Sequence, residues 1–259
     1  MPPQETNVFE SSNPVLTKED IWSPAGTGDV MTVQGVVTKT IFALLVTIGA
    51  AAFVWRGFFA GENVMPFMVI GGIGAFAIGI LNMLRGSVGP ITTTLYAGCE
   101  GLFIGGLSAF IHAMPKYHNL PLQAVLLTFC VMFAVLAAYK ARIVQATEGF
   151  KMAMCAGLCG ISLVYLVSFV LSLFGSHIPY IHESGPIGIG FSVFVVGLAA
   201  LSLVLDFDLI ERGARSGAPK SMEWYAAFGL LVTLIWLYIE ILRLLMKLQD
   251  RGGGRRISS

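Results

Sequence analysis

The stretch Gly190–Gly213 reads GFSVFVVGLAALSLVLDFDLIERG. No charged residue occurs between its first residue and Leu205. An α-helix needs about 20 mostly apolar residues to cross the hydrocarbon core of a bilayer. We therefore predict a transmembrane span at Ile187–Phe207, with an aspartate, Asp206, close to its end.

Six other stretches have a similar length and apolar character. They are Val37–Trp55, Val64–Leu84, Ile91–Met114, Leu120–Tyr139, Met152–Phe174 and Trp224–Met246. Because the connections between them are short, consecutive helices should be antiparallel neighbours. The sequence predicts an all-α membrane protein with seven transmembrane helices.

The composition supports the same class of protein. Hydrophobic residues make up 56% of the 259 residues and charged residues 12%, and the mean hydropathy is +0.78. Soluble domains usually contain about 25% charged residues. The net charge of +1 gives no basic surface for nucleic acid, so the expected surroundings are the lipid bilayer.

Polar segments flank the apolar region on both sides. Residues 1–35 begin MPPQETNVFESSNPVLTKED and are typical of a disordered N-terminal tail. Residues 36–248 form the predicted seven-helix transmembrane domain, and residues 249–259 form a basic C-terminal tail. No secretory signal is recognisable at the N-terminus.

Basic residues indicate the orientation of the spans. The side of the N-terminus carries most of them. Lys18 and Lys39 lie near the N-terminus, and the connections on that side carry Arg85, Lys140, Arg142, Lys151, Arg212, Arg215 and Lys220. The opposite connections carry Arg56 and Lys116. The N-terminus should therefore be cytoplasmic in a multi-pass cell-membrane protein. Seven full spans place the basic C-terminal tail outside, against this rule, so a re-entrant last segment is the alternative.

Three acidic residues fall at membrane depth, where an ionised side chain costs about 2.5–3.5 kcal/mol on insertion scales. Glu100 lies about nine residues into the third span, which corresponds to a depth of about 13 Å. It is either a functional acid or a protonated packing residue. Glu240 lies in the seventh span, and Arg243 three residues later is close enough to neutralise it. Asp206 is the third of these residues.

Asp206 and Asp208 are separated by 200° around a helix, so they cannot share one face. Asp208 can pair with Arg212 one turn later, which leaves Asp206 as the candidate for the interior. Arg85 ends the second span on the side where Asp206 is expected, and a basic side chain at a helix end ordinarily reaches the interface.

Two catalytic motifs are missing from the sequence. It contains no GxSxG elbow and no HExxH pair, and we predict neither an enzyme nor a cofactor. Cys99, Cys130, Cys155 and Cys159 lie in apolar stretches. Cys155 and Cys159 are one helical turn apart and are interpreted as buried packing residues, with a metal pair as the alternative. The four histidines, His112, His118, His177 and His182, lie in or near the outer connections. No metal site is predicted from either set.

Small residues recur at four-residue steps in two spans. They are Gly71, Ala75 and Gly79 in the second span, and Ala97, Gly101, Gly105 and Ala109 in the third. Such stripes let helix backbones approach closely in lipid. Tight packing is the favoured interpretation, with a pore lining as the alternative.

Several of these stretches together resemble the bacterial branch of the Bax inhibitor-1/YccA family. They are SSNPVLT, VVTKT, YAGCEGLFIGG, the Gly190–Gly213 stretch and GAPKSMEWYAAFGLLVTLIWLYIEILRLL. The similarity extends from Ser11 to Leu248. It implies a seven-helix fold whose last helix is held centrally by the other six, in the bacterial inner membrane.

The resemblance also implies a function, because relatives include a pH-sensitive calcium leak. In these relatives an acid on helix six and an acid on helix seven share a proton, and an arginine on helix two latches the closed state. By position, Asp206 and Glu240 match the two acids and Arg85 matches the latch. The sequence departs from the pattern after Asp206, where Phe207 and Asp208 replace a polar pair.

The spacing along the last span argues against direct contact between Asp206 and Glu240. If that span starts at Trp224, Glu240 lies about 24 Å from its cytoplasmic end. The two acids would meet only if Ala218–Gly229 formed a separate turn or a broken helix. Depth alone instead groups Glu100, Asp206 and Arg85.

Two functional hypotheses follow. The first is a proton-gated cation channel, with calcium as a transient ligand and Asp206, Glu240, Glu100 and Asp208 as the ion- or proton-sensing acids. The second is a non-conducting regulator that binds a membrane protease, as some relatives do.

Overall fold

The structure is a computed structural model that describes residues 29–85, 88–175 and 183–255. These residues form seven α-helices, each long and apolar enough to cross a membrane. They are α1 (Val33–Phe59), α2 (Met65–Arg85), α3 (Pro90–Ala113), α4 (Leu120–Lys140), α5 (Glu148–Leu173), α6 (Pro186–Arg215) and α7 (Met222–Arg255). The predicted all-α, seven-helix membrane fold is confirmed.

Local sequence signals explain where several helices begin. Thr32 caps α1, because its hydroxyl oxygen accepts a hydrogen bond from the Gly35 N–H at 3.0 Å. Thr147 caps α5 in the same way. Pro90 and Pro186 are the first residues of α3 and α6, where a missing N–H leaves no hydrogen bond unmade.

The helices extend beyond the predicted spans at several ends. α1 begins at Val33 instead of Val37, α6 continues to Arg215, and α7 continues to Arg255, inside the predicted C-terminal tail. Hydropathy reports only the part of a helix that lies in hydrocarbon, whereas backbone hydrogen bonding continues into water. Residues 1–28 and 256–259 of the predicted tails lie outside the described residues.

The last helix is continuous over 34 residues, a length of about 51 Å. The structure therefore has one unbroken last helix and not the re-entrant segment that was the alternative. Of the most apolar 18 residues of each helix, 67% are buried in α7 and between 12% and 44% in the others. This is the burial expected of the predicted central helix.

The chain divides into two compact units. The first comprises Met1–Phe110 and Leu205–Val232, and the second comprises Ile111–Val204 and Thr233–Ser259. α6 and α7 each contribute residues to both units.

Backbone-to-backbone packing of α3 characterises the first unit. A Cβ atom on Gly105 would lie 2.6 Å from the Ala51 carbonyl oxygen, and a Cβ on Gly71 would lie 2.6 Å from the Cys99 carbonyl oxygen. A Cβ on Gly101 would overlap the Thr47 carbonyl group. These positions require glycine, so the packing interpretation of the small-residue stripes is supported.

Before α1, a short segment joins the α6–α7 connection in the same unit. The Met31 N–H donates to the Ala218 carbonyl at 2.7 Å, and the Lys220 N–H donates to the Asp29 carbonyl at 3.0 Å. These hydrogen bonds hold the N-terminal end of α1 beside the N-terminal end of α7.

The second unit contains the last three residues of α3, all of α4 and α5, and the remaining parts of α6 and α7. Gly157 of α5 packs against Leu198 of α6, where an added Cβ would lie 3.0 Å from a leucine methyl group. From α7, Leu237 and Leu242 are almost fully buried. The tyrosine of α5, Tyr165, sits within this unit.

Large apolar side chains cover the outer helix faces. Phe76 and Met152, for example, are 71% and 73% exposed, which a bilayer tolerates and water does not. Cys130, Cys155 and Cys159 are also exposed, and Cys99 is half-buried. The interpretation of Cys155 and Cys159 as buried packing residues is thus wrong, because both side chains are exposed on α5.

Candidate carboxylate sites

Asp206 is enclosed by protein in the first unit. Its side chain is 1% exposed, and it lies nine residues before the last residue of α6, about 14 Å from that end. The leucines beside it, Leu205 and Leu209, are 2% and 4% exposed. The interior orientation expected of Asp206 is observed.

Asp208, on another face of α6, has a local partner. Its carboxyl group pairs with Arg212 one turn later, and both side chains are about one-fifth exposed. The predicted pair is confirmed. The charge of Asp208 is therefore compensated within its own helix.

Glu100 lies in α3 and borders a cavity. The Tyr96 hydroxyl donates a hydrogen bond to Glu100 Oε1 at 2.8 Å. None of the ion pairs between described residues includes Glu100. The cavity, about 550 Å³ in volume, is otherwise lined by residues of α2, α3 and α7: Gly72, Ala75, Phe76, Gly79, Ile80, Met83, Tyr96, Phe103, Phe228 and Val232.

Glu240 is the centre of a hydrogen-bonded network in the second unit. Its side chain is 2% exposed. Arg243 Nη1 donates to both carboxylate oxygens at 3.0 Å, and the Tyr165 hydroxyl donates to Oε1 at 2.8 Å. Trp236 Nε1 adds a donor at 3.3 Å. The neutralisation of Glu240 by Arg243 is as predicted.

Arg85 is exposed at the end of α2, and none of the ion pairs between described residues includes it. The next two residues of the chain lie outside the described part. The latch role of Arg85 stays a prediction.

The structure distributes the predicted acids over the two units. Glu100, Asp206 and Asp208 belong to the first unit, together with Arg85, and Glu240 belongs to the second. Of the segment Ala218–Gly229, the first four residues precede α7, and the rest, from Met222, belongs to the unbroken helix. A proton shared by these two acids stays a prediction of the resemblance.

A buried ion pair at the start of α7 was missed by the sequence analysis. Glu223 is 2% exposed and pairs with Lys39 of α1. Its Oε1 also accepts hydrogen bonds from the Thr32 N–H at 2.9 Å and the Thr32 hydroxyl at 3.0 Å. The one available signal was Lys39, a basic residue inside an apolar helix that needs a counter-charge.

Two further polar residues of α7, Lys247 and Asp250, lie where the sequence predicted the border of the C-terminal tail. Lys247 is 6% exposed and donates to the Gly188 carbonyl at 3.0 Å and to the Ser192 hydroxyl at 2.9 Å. Asp250 pairs with Lys116 at 2.5 Å and accepts a hydrogen bond from Ser184 at 2.9 Å. With Glu240 and Arg243, these residues follow each other at steps of three and four along one face of α7.

Within the described part of the chain, no metal cluster accompanies these acids. The described residues contain no group of three or more His, Cys, Asp or Glu side chains that could hold a metal ion. The His112 and His118 rings are tilted to each other with centroids 3.7 Å apart, while His177 and His182 lie outside the described residues.

The sequence matches a model of a known protein family. The family model described as Bax inhibitor 1 like matches residues 13–250. No sequence among the curated proteins matches this chain.

Proposed function

The chain belongs to the Bax inhibitor 1-like family, and we propose that it is a pH-sensitive cation leak, with calcium as the principal ion, gated by protonation of Asp206. The observation that carries the proposal is the burial of this carboxyl group, 1% exposed in a membrane-spanning helix. Ionisation of a carboxyl group is opposed where water is excluded. The charge state of Asp206 is therefore coupled to the packing around it.

The close packing around Asp206 would couple its protonation to a change in the arrangement of the helices. Leu205 and Leu209 of α6 are almost fully buried beside it, so α6 is tightly packed at this depth. A close-packed interior does not deform continuously, and it switches between discrete arrangements. Loss of the proton would favour an arrangement in which the carboxylate reaches water or a cation.

Glu240 provides a second charged centre in the other unit. Arg243 and Tyr165 both bind its carboxyl group, and Arg243 also donates to the Tyr165 hydroxyl at 2.6 Å. Neutralisation of Glu240 would remove the charge that holds Arg243 in place. We infer that this network sets how firmly the second unit holds its part of α7.

Flux measurements in proteoliposomes test the proposal. The Asp206→Asn variant keeps the size and polarity of the side chain but cannot ionise, and we expect its calcium flux to be independent of pH between about 5 and 8, the range in which perturbed carboxyl groups titrate. The matched control is Asp208→Asn, two residues away on the same helix, because Asp208 is already paired with Arg212. Its flux should keep the pH dependence of the unmodified protein.

Two outcomes would overturn parts of the proposal. If Asp206→Asn retains the full pH dependence, Asp206 is not the gating acid. If the unmodified protein carries no calcium at any pH, the leak itself is wrong, and a non-conducting regulator of a membrane protease becomes the better hypothesis.

A further inference from the structure

The cavity beside Glu100 is apolar apart from a single acidic corner. Phe76 and Ile80 of α2, on its outer wall, are 71% and 39% exposed. These outward-facing side chains place that wall at the surface that the bilayer covers. Glu100 is the acidic residue among the side chains that line the cavity. The oxygen atoms of these side chains belong to the Glu100 carboxyl group and the Tyr96 hydroxyl.

Aromatic rings border the cavity from three helices. They belong to Phe76, Tyr96, Phe103 and Phe228. The Tyr96 and Phe228 rings meet edge to face, with centroids 4.7 Å apart. No lysine or arginine lines the cavity. A carboxyl group among aromatic faces attracts a cation both by its charge and by the electron-rich ring faces.

An inorganic cation does not suit these surroundings. Calcium takes six to eight oxygen ligands, and Glu100 and Tyr96 offer three side-chain oxygen atoms between them. The remaining lining consists of hydrocarbon side chains, glycine and the thioether of Met83, which is a poor ligand for calcium. A cation with an apolar surface of its own avoids the loss of hydration that a metal ion would suffer here.

We propose that this cavity binds a lipid-soluble organic ammonium ion, with the cationic head at Glu100 and the apolar part along α2. The volume of about 550 Å³ falls in the range of about 300–1,000 Å³ typical of small-molecule pockets. Entry from the bilayer requires no opening towards water. The site goes beyond the proposed leak, since binding here involves neither Asp206 nor the passage of calcium.

Binding of tritiated dodecyltrimethylammonium to the protein in phosphatidylcholine nanodiscs tests the proposal. The competitor is its uncharged isostere, in which carbon replaces the nitrogen. We expect saturable binding that the isostere displaces at least tenfold less well than unlabelled ammonium. In Glu100→Gln the affinity should fall at least tenfold, and Glu100→Asp should recover part of the loss.

A second variant fills the cavity without removing the acid. A Cβ on Gly79 would make only an ordinary contact, 3.7 Å from the Tyr96 ring, so Gly79→Leu can be accommodated and should abolish binding. The controls are Asp208→Asn and Asp206→Asn, which should bind as the unmodified protein does. Their unchanged binding would separate this site from the proposed gate.

The proposal is overturned if Glu100→Gln binds the ammonium ion as well as the unmodified protein does. It is also overturned if the uncharged isostere competes equally, because the cavity would then hold any lipid chain. Loss of binding in Asp206→Asn would show that the two sites are not independent.

Discussion

The two parts of α7 hold a buried acid in different ways. In the first unit, Glu223 pairs with Lys39, which lies 184 positions earlier, and with Thr32, 191 positions earlier. In the second unit, Glu240 pairs with Arg243 on the next turn of its own helix. Glu223 therefore connects segments that are distant in the sequence, whereas Glu240 forms its ion pair within one helix.

The difference predicts how much stability each acid contributes. Lys39 is 17% exposed, so removal of Glu223 leaves a largely buried cation. Arg243 is 36% exposed and can reach the outside of the second unit. When Arg243 is removed, Glu240 still accepts hydrogen bonds from the neutral donors Tyr165 and Trp236. Disruption at the start of α7 should cost more than disruption further along.

The largest effect is expected from Glu223→Gln. The variant strands Lys39 beside Thr32 without a counter-charge, and we expect a loss of about 3 kcal/mol in the free energy of unfolding. Titration with a denaturing detergent, followed by helical circular dichroism, measures it. The double variant Lys39→Met with Glu223→Gln should be more stable than Glu223→Gln, and equal stability of the two would remove the ion pair from the explanation.

A smaller loss is expected from a methyl group added at Gly35. A Cβ there would overlap the Glu223 carboxyl group, which must then shift from Thr32 and Lys39. We expect Gly35→Ala to lose about 2 kcal/mol. Gly49, on the same helix, has nothing within 4 Å of its added Cβ, so Gly49→Ala should be neutral or stabilise by about 0.5 kcal/mol. Similar losses in both variants would contradict the packing argument.

Arg243→Met tests the local pair and should have a lesser effect. Because Arg243 is partly exposed and Tyr165 still binds Glu240, we expect a loss of about 1 kcal/mol in the same detergent titration. Arg215, whose side chain is 70% exposed, is the control, and Arg215→Met should change little. A loss as large as that of Glu223→Gln would abolish the contrast between the two parts of α7.

The smallest effect concerns the exposed pair beside the start of α7. Lys220 Nζ donates to Asp29 Oδ2 at 2.8 Å; this hydrogen bond lowers the pKa of Asp29 and raises the pKa of Lys220. Both side chains are more than half exposed. Exposed pairs of this kind are weak and screened by salt, so Asp29→Asn should lower the melting temperature slightly at low salt and not at high salt.

The pH dependence of that pair follows from the two shifts. The contribution of Asp29 is present above its unfolded pKa, 3.8, and is lost as the pH falls through the lower folded value. The contribution of Lys220 is present below its unfolded pKa, 10.5, and is lost as the pH rises through the higher folded value. The difference between Asp29→Asn and the unmodified protein should therefore be constant near neutral pH. A difference that changes between about pH 6 and 8 would point to another titrating group.

Local interactions of the acids were predictable because helix geometry fixes them. The pairs Asp208–Arg212 and Glu240–Arg243 follow from spacings of four and three residues. Lys247 was not recognised as buried, because its partners Gly188 and Ser192 are more than 50 positions away. The orientation of Cys155 was misjudged for a related reason, since an apolar stretch does not show which of its faces meets lipid.

The sequence by itself determined the number of helices, their approximate positions and their location in the lipid bilayer. A stretch of about 20 apolar residues is stable in hydrocarbon and not in water. It also determined which acids would be unusual. Only the tertiary structure decided that Glu223 meets Lys39, that Asp206 and Glu240 fall in different units, and that Glu100 borders a cavity. The physical reason is that membrane insertion depends on the composition of one helix, whereas contacts between helices depend on rotation and side-chain shape.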